Sequence, residues 1–281
     1  FIKYYINFMQ VFWFKRDLRI NDNEPLVEAL NALGANISYL EKEGYPPLHI
    51  QKGNIQGGTI QVSSTISSQF ISALLLIAPT LCGGLTINLQ GNLVSKSYLE
   101  MTLKMMAYFG IEYNWSSKKI RIEEQKYQPK DICIENDWSA VAFWLEITAM
   151  AEEAQIELNG LHKNSWQGDI KALSIFSQLG VTHQFYKNKL LLLKEDVKAP
   201  IKQLNLIENP DLAQAICCTY AGLNNCLKLT GLSTLKIKET DRILALQSEL
   251  KKLGVILKIS EDKIIINDFK KKLEIPTIKT H

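Results

Sequence analysis

The sequence has few of the residues that build metal centres or disulfide frameworks. Its five cysteines show no Cys-x-x-Cys spacing, and its four histidines stand singly along the chain. Metal sites and disulfide frameworks need such residues at close, regular spacing. The sequence therefore predicts no metal site and no disulfide framework, and we expect a protein of the reduced, cytoplasmic compartment.

Long apolar runs and an excess of charge of one sign are also missing. The longest apolar runs, such as Phe70 to Pro79, are too short to span a bilayer. With 32 basic and 29 acidic side chains the formal net charge is +3, which provides no global field for nucleic acid or an anionic membrane. We expect a soluble protein with neither of these as partner, so any binding of anions must be local.

A repeated pattern organises the 281 residues, which are enough for a sizeable core and two domains. Four segments each predict a helix that ends at a glycine and is followed by a strand: LGANISY, FGIEY, LGVTHQF and LGVILKI. Their glycines are Gly34, Gly110, Gly180 and Gly254, which lie 70 to 76 residues apart. This regular spacing indicates that each period is one folding unit.

Three alternating segments repeat at the same period and predict further strands: TINLQG, QIELNG and CLKLTG. A polar loop and a helix follow each of them, and another helix begins near Ser68, Trp138 and Asp211. The unit is interpreted as a β-hairpin, a strand, a helix, a strand and a helix, which predicts an α+β fold. Because repeats often only stack a continuous core, the loops must decide whether the protein has a chemical function.

One class of loop opens the helices of the first half of the unit. Its clearest member is Ser67, Ser68 and Gln69, ahead of the apolar run. Serines at a helix start are ordinary N-caps, but paired hydroxyls, an amide and free N–H groups also suit a phosphate. The equivalent positions hold Asp137 with Ser139, and Pro210 with Asp211. Asp211 is either an N-cap or a proton acceptor, and spacing does not separate these roles.

A second class of loop follows the strand-end glycines: Ser95 to Tyr98, Asn164 to Asp169, and Lys236 to Arg242. In the third loop Lys238 and Arg242 are four residues apart, so one helical turn would bring their charges together, with Glu239 beside them. One alternative is a solvated helix start that is capped by Thr240 or Asp241 and carries a routine ion pair. The other is an anion site that contains an acid–base group.

Several stretches resemble the 5-enolpyruvylshikimate-3-phosphate synthase family of enolpyruvyl transferases: LVEALNALGANISYLEKEGYPPL, SSTISSQFISALLLIAP, GNLVSKSYLEMTL, NSWQGDI, NPDLAQA and LKIKETDRILAL. The resemblance runs from about Glu24 to His281. It implies two domains of repeated units, assigned to 24–132 and 133–281, and transfer of a carboxyvinyl group from phosphoenolpyruvate to shikimate 3-phosphate. These small molecules are the expected partners of a monomer that needs no cofactor.

Roles follow from the resemblance position by position. Ser67, Ser68 and Ser95 would hold the shikimate phosphate, Gln69 would bridge both substrates and Tyr98 would line the shikimate ring. Asp211 would act as the base on the attacking hydroxyl. Lys238 and Glu239 would serve proton transfer at the enolpyruvyl carbon, and Arg242 would bind phosphoenolpyruvate.

The resemblance does not include residues 1–23, and further substrate ligands of the family have no counterpart in this sequence. Val11 to Asn23 instead resembles the first strand of DNA photolyases, in a segment too short to hold a flavin. We therefore expect little turnover. The alternative to an active transferase is a catalytically incompetent fragment or chimeric gene product with residual phosphate binding.

Overall fold

The computed structural model describes residues 24–64, 68–197, 199–236, 240–270 and 277–279. The photolyase-like segment 11–23 therefore lies outside the described residues. The described chain divides into two compact units. Residues up to Leu93 form the first unit together with Thr102–Pro129, and Val94–Met101 belongs to the second unit with the residues from Lys130 onward.

The first unit places a four-stranded mixed sheet against helices. Its elements, including the part of α3 that it shares with the second unit, are α1 (Glu24–Ala32), β1 (Asn36–Tyr39), β2 (Leu48–Gln51), β3 (Gly58–Ser63), α2 (Ser68–Ile77), β4 (Leu85–Gln90), α3 (Lys96–Tyr108), β5 (Asn114–Ser116) and β6 (Lys119–Ile122). The sheet order is β3-β4-β6-β5, with β3 and β4 parallel and the other pairs antiparallel. Leu74, Leu75 and Ile87 are fully buried in the core.

The second unit repeats this architecture. Its further elements are α4 (Trp138–Met150), β7 (Gln155–Asn159), α5 (Ala172–Phe176), β8 (Val181–Tyr186), β9 (Lys189–Lys194), β10 (Gln203–Asn205), α6 (Ala213–Gly222), β11 (Leu227–Thr230), α7 (Arg242–Lys252), β12 (Val255–Ile259) and β13 (Lys263–Phe269). The sheet β10-β11-β13-β12 has the same order and the same parallel first pair as the sheet of the first unit. A three-stranded sheet, β7-β9-β8, lies between them in sequence. Trp138, Phe176 and Tyr220 are the largest side chains in the core of the second unit.

The glycines that mark the repeat have the backbone geometry that the sequence predicts. Gly34, Gly110, Gly180 and Gly254 have φ between 79° and 97°, in the left-handed region where a Cβ is disfavoured. The strands predicted from TINLQG, QIELNG and CLKLTG are β4, β7 and β11. The helices predicted near Ser68 and Trp138 begin at these residues, and a 3-10 turn at Pro210–Leu212 begins the third. These predictions are confirmed.

Two predicted strands differ from the structure. The strand expected directly after Gly110 begins only at Asn114, because the side chain of Gln125 bonds the backbone N–H and C=O of Glu112. The strand expected before α4 forms no ladder among residues 131–137. There Gln167 Nε2 donates to the Asn136 carbonyl and Asn136 Nδ2 donates to the Asn159 carbonyl, so side chains satisfy groups that a neighbouring strand would otherwise bond.

One backbone hydrogen bond just before α4 nevertheless has counterparts at the equivalent positions of the other repeat units. The Asn136 N–H donates to the Gly160 carbonyl across 2.8 Å, as Ser64 does to Gln90 and Leu206 does to Thr230. Each helix of this class is therefore entered from the end of a neighbouring strand. Among the described residues, the helices are all too short or too polar to cross a membrane.

Candidate active site

The first turns of several helices in the second unit meet at one cluster of polar side chains. The cluster consists of Tyr98, Ser139, Asp169, Asp211 and Arg242. Asp169 and Asp211 lie in 3-10 turns that immediately precede α5 and α6, and the other three lie in the first three positions of α3, α4 and α7. Free backbone N–H groups give helix starts a partial positive charge, which makes this a favourable place for carboxylates and anionic ligands.

Asp211 is the centre of the cluster. Its Oδ1 accepts a hydrogen bond from Arg242 Nη1 across 2.9 Å, and its Oδ2 accepts one from Tyr98 Oη across 3.1 Å. The side chains of the ion pair are 23% and 27% exposed, so both remain accessible to a ligand. Asp211 is therefore an oriented carboxylate next to a cation, which suits it to accept a proton from a bound hydroxyl.

Tyr98 lies between two carboxylates. Burial and the nearby charges of Asp211 and Asp169 raise the pKa of Tyr98 far above its ordinary value. The phenol therefore stays protonated and donates, across 3.1 Å to Asp211 and 3.3 Å to each oxygen of Asp169. A donor of this kind orients a carboxylate without removing its charge.

The start of α3 is tied to the segment that leads into Asp211. The Ser95 N–H donates to the Ile207 carbonyl across 2.8 Å, and Ser97 Oγ donates to the Glu208 carbonyl across 2.5 Å. Ser95 is buried, and its φ of 56° is unusual for a residue other than glycine. Backbone strain of this kind persists where surrounding contacts enforce it and clusters at functional sites.

Asp169 belongs to the cluster although its side chain was not among the predicted site residues. It is almost fully buried, and it accepts hydrogen bonds from Ser139 Oγ (2.6 Å) and Asn209 Nδ2 (2.9 Å) in addition to Tyr98. Burial raises its pKa, while the bonds from Ser139 and Asn209 act in the opposite direction. Its loop was identified from the sequence as one of the polar loops of the repeat, and that position was the available signal.

Glu135 was also missed, and it fixes that loop. Its Oε1 accepts from Trp138 Nε1 and from the His162 N–H, each across 2.8 Å, and its Oε2 accepts from Ser165 Oγ across 2.5 Å. Because these partners are up to 30 residues away in sequence, no local pattern reveals the network. Glu135 holds the loop against the start of α4, and so holds Asp169 beside Tyr98.

The predicted helical turn between Lys238 and Arg242 stays a prediction, because residues 237–239 lie outside the described part of the chain. Helix α7 begins at Arg242, and Asp241 caps it with an extended backbone and with bonds from the Ile243 and Leu244 N–H groups, each 3.0 Å long. Lys238 and Glu239 lie outside the described residues, and their proposed roles stay predictions.

The remaining predicted site residues lie in the first unit. Ser68 and Gln69 are the first two residues of α2, where Ser68 is partly buried and Gln69 is exposed. Ser67 lies outside the described residues. The structure thus brings Asp211 into contact with both Tyr98 and Arg242. Ser95 directly precedes α3, the helix that carries Tyr98. Phosphate binding by Ser67, Ser68 and Gln69 stays a prediction.

Sequence comparisons connect this geometry to known proteins. The family model of EPSP synthase (3-phosphoshikimate 1-carboxyvinyltransferase) matches residues 24–281. A 3-phosphoshikimate 1-carboxyvinyltransferase of Bacteroides fragilis is 41% identical over 259 residues, which cover 91% of this chain and 63% of the relative. One of Shewanella halifaxensis is 33% identical and covers 86% of this chain and 57% of the relative. The chain thus spans about three fifths of the length of these relatives.

Solved structures share the fold. An EPSP synthase from Acinetobacter baumannii aligns with a TM-score of 0.63 at 22% identity, over 91% of this chain and 58% of that chain. The enolpyruvyl transferase NikO from Streptomyces tendae aligns with a TM-score of 0.61 at 12% identity, over 87% of this chain and 58% of that chain. At such identities the likeness concerns the fold alone, and it confirms the predicted α+β class.

Proposed function

We propose, since the chain belongs to the EPSP synthase (3-phosphoshikimate 1-carboxyvinyltransferase) family, that it transfers the carboxyvinyl group of phosphoenolpyruvate to shikimate 3-phosphate. The observation that carries this proposal is the carboxylate of Asp211, held between Arg242 Nη1 and Tyr98 Oη at the start of α6. Such an arrangement places a proton acceptor beside a positively charged side chain.

The reaction requires a proton acceptor on the attacking hydroxyl. Asp211 takes the proton from that hydroxyl of shikimate 3-phosphate, whose oxygen forms a bond to the phosphate-bearing carbon of phosphoenolpyruvate. The methylene carbon gains a proton, which gives a tetrahedral intermediate. Loss of phosphate and of one methyl proton then restores the double bond in the enolpyruvyl ether. Lys238 and Glu239 are proposed to serve the proton transfers at the methylene carbon.

Both substrates carry phosphate and carboxylate groups, so the site must supply local positive charge. Arg242 can share its guanidinium between Asp211 and either of these groups. Ser95 lies at the start of α3, whose backbone N–H groups suit the phosphate of shikimate 3-phosphate. We further propose that the protein acts as a monomer in the cytoplasm.

Release of phosphate tests this function. The chain is incubated with phosphoenolpyruvate and shikimate 3-phosphate, together and each alone. Turnover is expected only with both substrates, and Asp211→Asn should lower kcat by roughly 100-fold or more because the proton acceptor is lost. Thr219→Val is the matched control, since Thr219 is buried in α6 and, within the part of the chain that the structure describes, its hydroxyl bonds only the Ala215 carbonyl of the same helix.

A binding protein without turnover would give a different result. Shikimate 3-phosphate would then bind, as measured by calorimetry, but phosphate would not be released under any combination of substrates. That outcome would reject the transferase and favour the catalytically incompetent alternative.

A further inference from the structure

Asp169 is a buried carboxylate that, among the described residues, accepts hydrogen bonds from neutral groups only. It is 1% exposed, and within the described part of the chain its donors are the hydroxyls of Ser139 and Tyr98 and the amide of Asn209. A buried charge without a cationic partner is unfavourable unless hydrogen bonds compensate it. Such a carboxylate can act on its neighbours through its charge, or it can tie together the segments that bond it.

Gly168 allows the carboxylate to come this close to α3. A Cβ at Gly168 would lie 2.3 Å from the Cβ of Ser97 and 2.9 Å from Nδ2 of Asn209. Only a residue without a side chain fits at this approach of loop to helix. The loop therefore carries Asp169 directly against the first turn that presents Tyr98.

Tyr98 has one hydroxyl proton and two acceptors for it. Its oxygen lies 3.1 Å from Asp211 Oδ2 and 3.3 Å from both oxygens of Asp169. Because the proton is shared between the two carboxylates, the ring cannot turn toward one without weakening its bond to the other. The position of the phenol, and with it the donor to Asp211 Oδ2, therefore depends on Asp169.

We propose that Asp169 is a positioning residue of the carboxyvinyl transfer, which holds the Tyr98 hydroxyl so that Asp211 presents its carboxylate in one direction. Arg242 fixes the other oxygen of Asp211 across 2.9 Å. The inference rests on the proposed function, since a direction matters only if Asp211 accepts a proton. The competing explanation is a structural tie, in which Asp169 joins Ser139 to Asn209 and its contact with Tyr98 has no consequence.

A double-mutant cycle separates these explanations. Asp169→Asn keeps the shape of the side chain, and Tyr98→Phe removes the hydroxyl that links the two carboxylates. We expect Asp169→Asn to lower kcat by about 10- to 100-fold, while the Kd of shikimate 3-phosphate changes by less than about threefold. In the Tyr98→Phe background the same substitution should have almost no further effect on kcat. Equal losses in both backgrounds would overturn the proposal.

A second variant covers the case in which Asp169→Asn does not fold. Ser139→Ala removes the 2.6 Å bond to Oδ2 of Asp169 and leaves the Tyr98 hydroxyl in place. It should lower kcat in the same direction but less strongly, and this loss should also vanish in the Tyr98→Phe background. A loss that persists there would mean that Asp169 does not act through Tyr98.

A measurement without turnover distinguishes failure of this inference from failure of the proposed function. The chain is labelled with 13C at the tyrosine Cζ, and the Tyr98 signal is assigned by its disappearance in Tyr98→Phe. The signal should move in Asp169→Asn and also in Asp211→Asn, even if the wild-type chain releases no phosphate. A Tyr98 signal that stays in place in Asp169→Asn would overturn the positioning role, whatever the activity of the chain.

Discussion

Arg242 donates from Nη1 to Oδ1 of Asp211 across 2.9 Å, which joins the first residue of α7 to the 3-10 turn that opens α6. The two residues are 31 positions apart in sequence. Both are about a quarter exposed, so a bound anion can share the guanidinium while the carboxylate keeps its partner. In the proposed transfer, the pair would connect orientation of the proton acceptor with recognition of an anionic substrate.

The pair predicts that replacements of Arg242 act on catalysis more than on stability. Arg242→Ala removes a charge-assisted bond worth about 1.5–3 kcal/mol, so kcat/KM should fall by roughly 10- to 100-fold or more. Arg242→Lys keeps the charge but not the paired donors, and we expect an intermediate loss. Steady-state kinetics with both substrates measures this. Unchanged kcat/KM in Arg242→Ala would contradict the assigned role.

Adding a side chain is expected to cost different amounts of stability at two glycines with positive φ. Gly180 and Gly83 both have positive φ, but a Cβ at Gly180 would lie 2.3 Å from the Glu195 carbonyl oxygen, whereas Gly83 has open space. Gly83→Ala should cost about 1–2 kcal/mol from backbone strain alone. Gly180→Ala should cost clearly more, because backbone atoms must move. Urea unfolding measures both, and equal costs would show that the close contact is absent.

The approach of Gly168 to Ser97 predicts a suppressor. Gly168→Ala should destabilise the chain by about 1–3 kcal/mol, since neither Cβ can move aside easily. Adding Ser97→Gly removes the opposing Cβ and should recover part of that loss, although the bond from Ser97 Oγ to Glu208 is sacrificed. Thermal melts of the single and double variants test this. A double variant no more stable than Gly168→Ala would contradict the predicted contact.

Glu146 predicts a pH dependence of stability. Burial in α4 raises the pKa of Glu146 from 4.5 to about 7. The folded state therefore favours the protonated carboxyl over the charged one. The stability that wild type gains from this preference is fully present below pH 4.5 and is lost as the pH rises through 7. Glu146→Gln should therefore gain stability over the wild type between these values, by about 1–2 kcal/mol after allowance for partial exposure.

Melts of the Glu146→Gln variant and the wild type between pH 4.5 and 8.5 measure this difference. Glu153→Gln, at an exposed position just after the same helix, is the control and should show no comparable trend. A constant difference between Glu146→Gln and wild type across the range would show that the Glu146 carboxyl is solvated.

The parts of the fold that depend on local chemistry could be predicted from the sequence. A helix end that requires a left-handed residue selects glycine, so Gly34 and its equivalents reveal the period directly. The sequence does not reveal that the strand expected before α4 lacks its ladder. The side chain of Gln167, which bonds the Asn136 carbonyl there, is 31 residues away in sequence. Pattern alone does not show which side chains satisfy a distant backbone.

The same limit applies to the candidate site. Tyr98, Asp211 and Arg242 stand in distinctive loops, and the structure brings them together. Asp169 gains its importance from Tyr98, which is 71 residues away, and only the folded chain reveals that contact. The start of α7 depends on local chemistry, because Asp241, one of the two caps that the sequence offers, accepts hydrogen bonds from the first N–H groups of the helix.

Detection of the product tests the central claim most directly. Phosphorus NMR follows the chain with equimolar phosphoenolpyruvate and shikimate 3-phosphate. We predict that the phosphoenolpyruvate signal decays while inorganic phosphate and one new phosphate-ester signal, that of the enolpyruvyl ether, grow in equal amounts, and that Asp211→Asn slows all three changes by roughly 100-fold or more. Spectra that stay constant while shikimate 3-phosphate binds, or phosphate release without the ether, would contradict the proposed transfer.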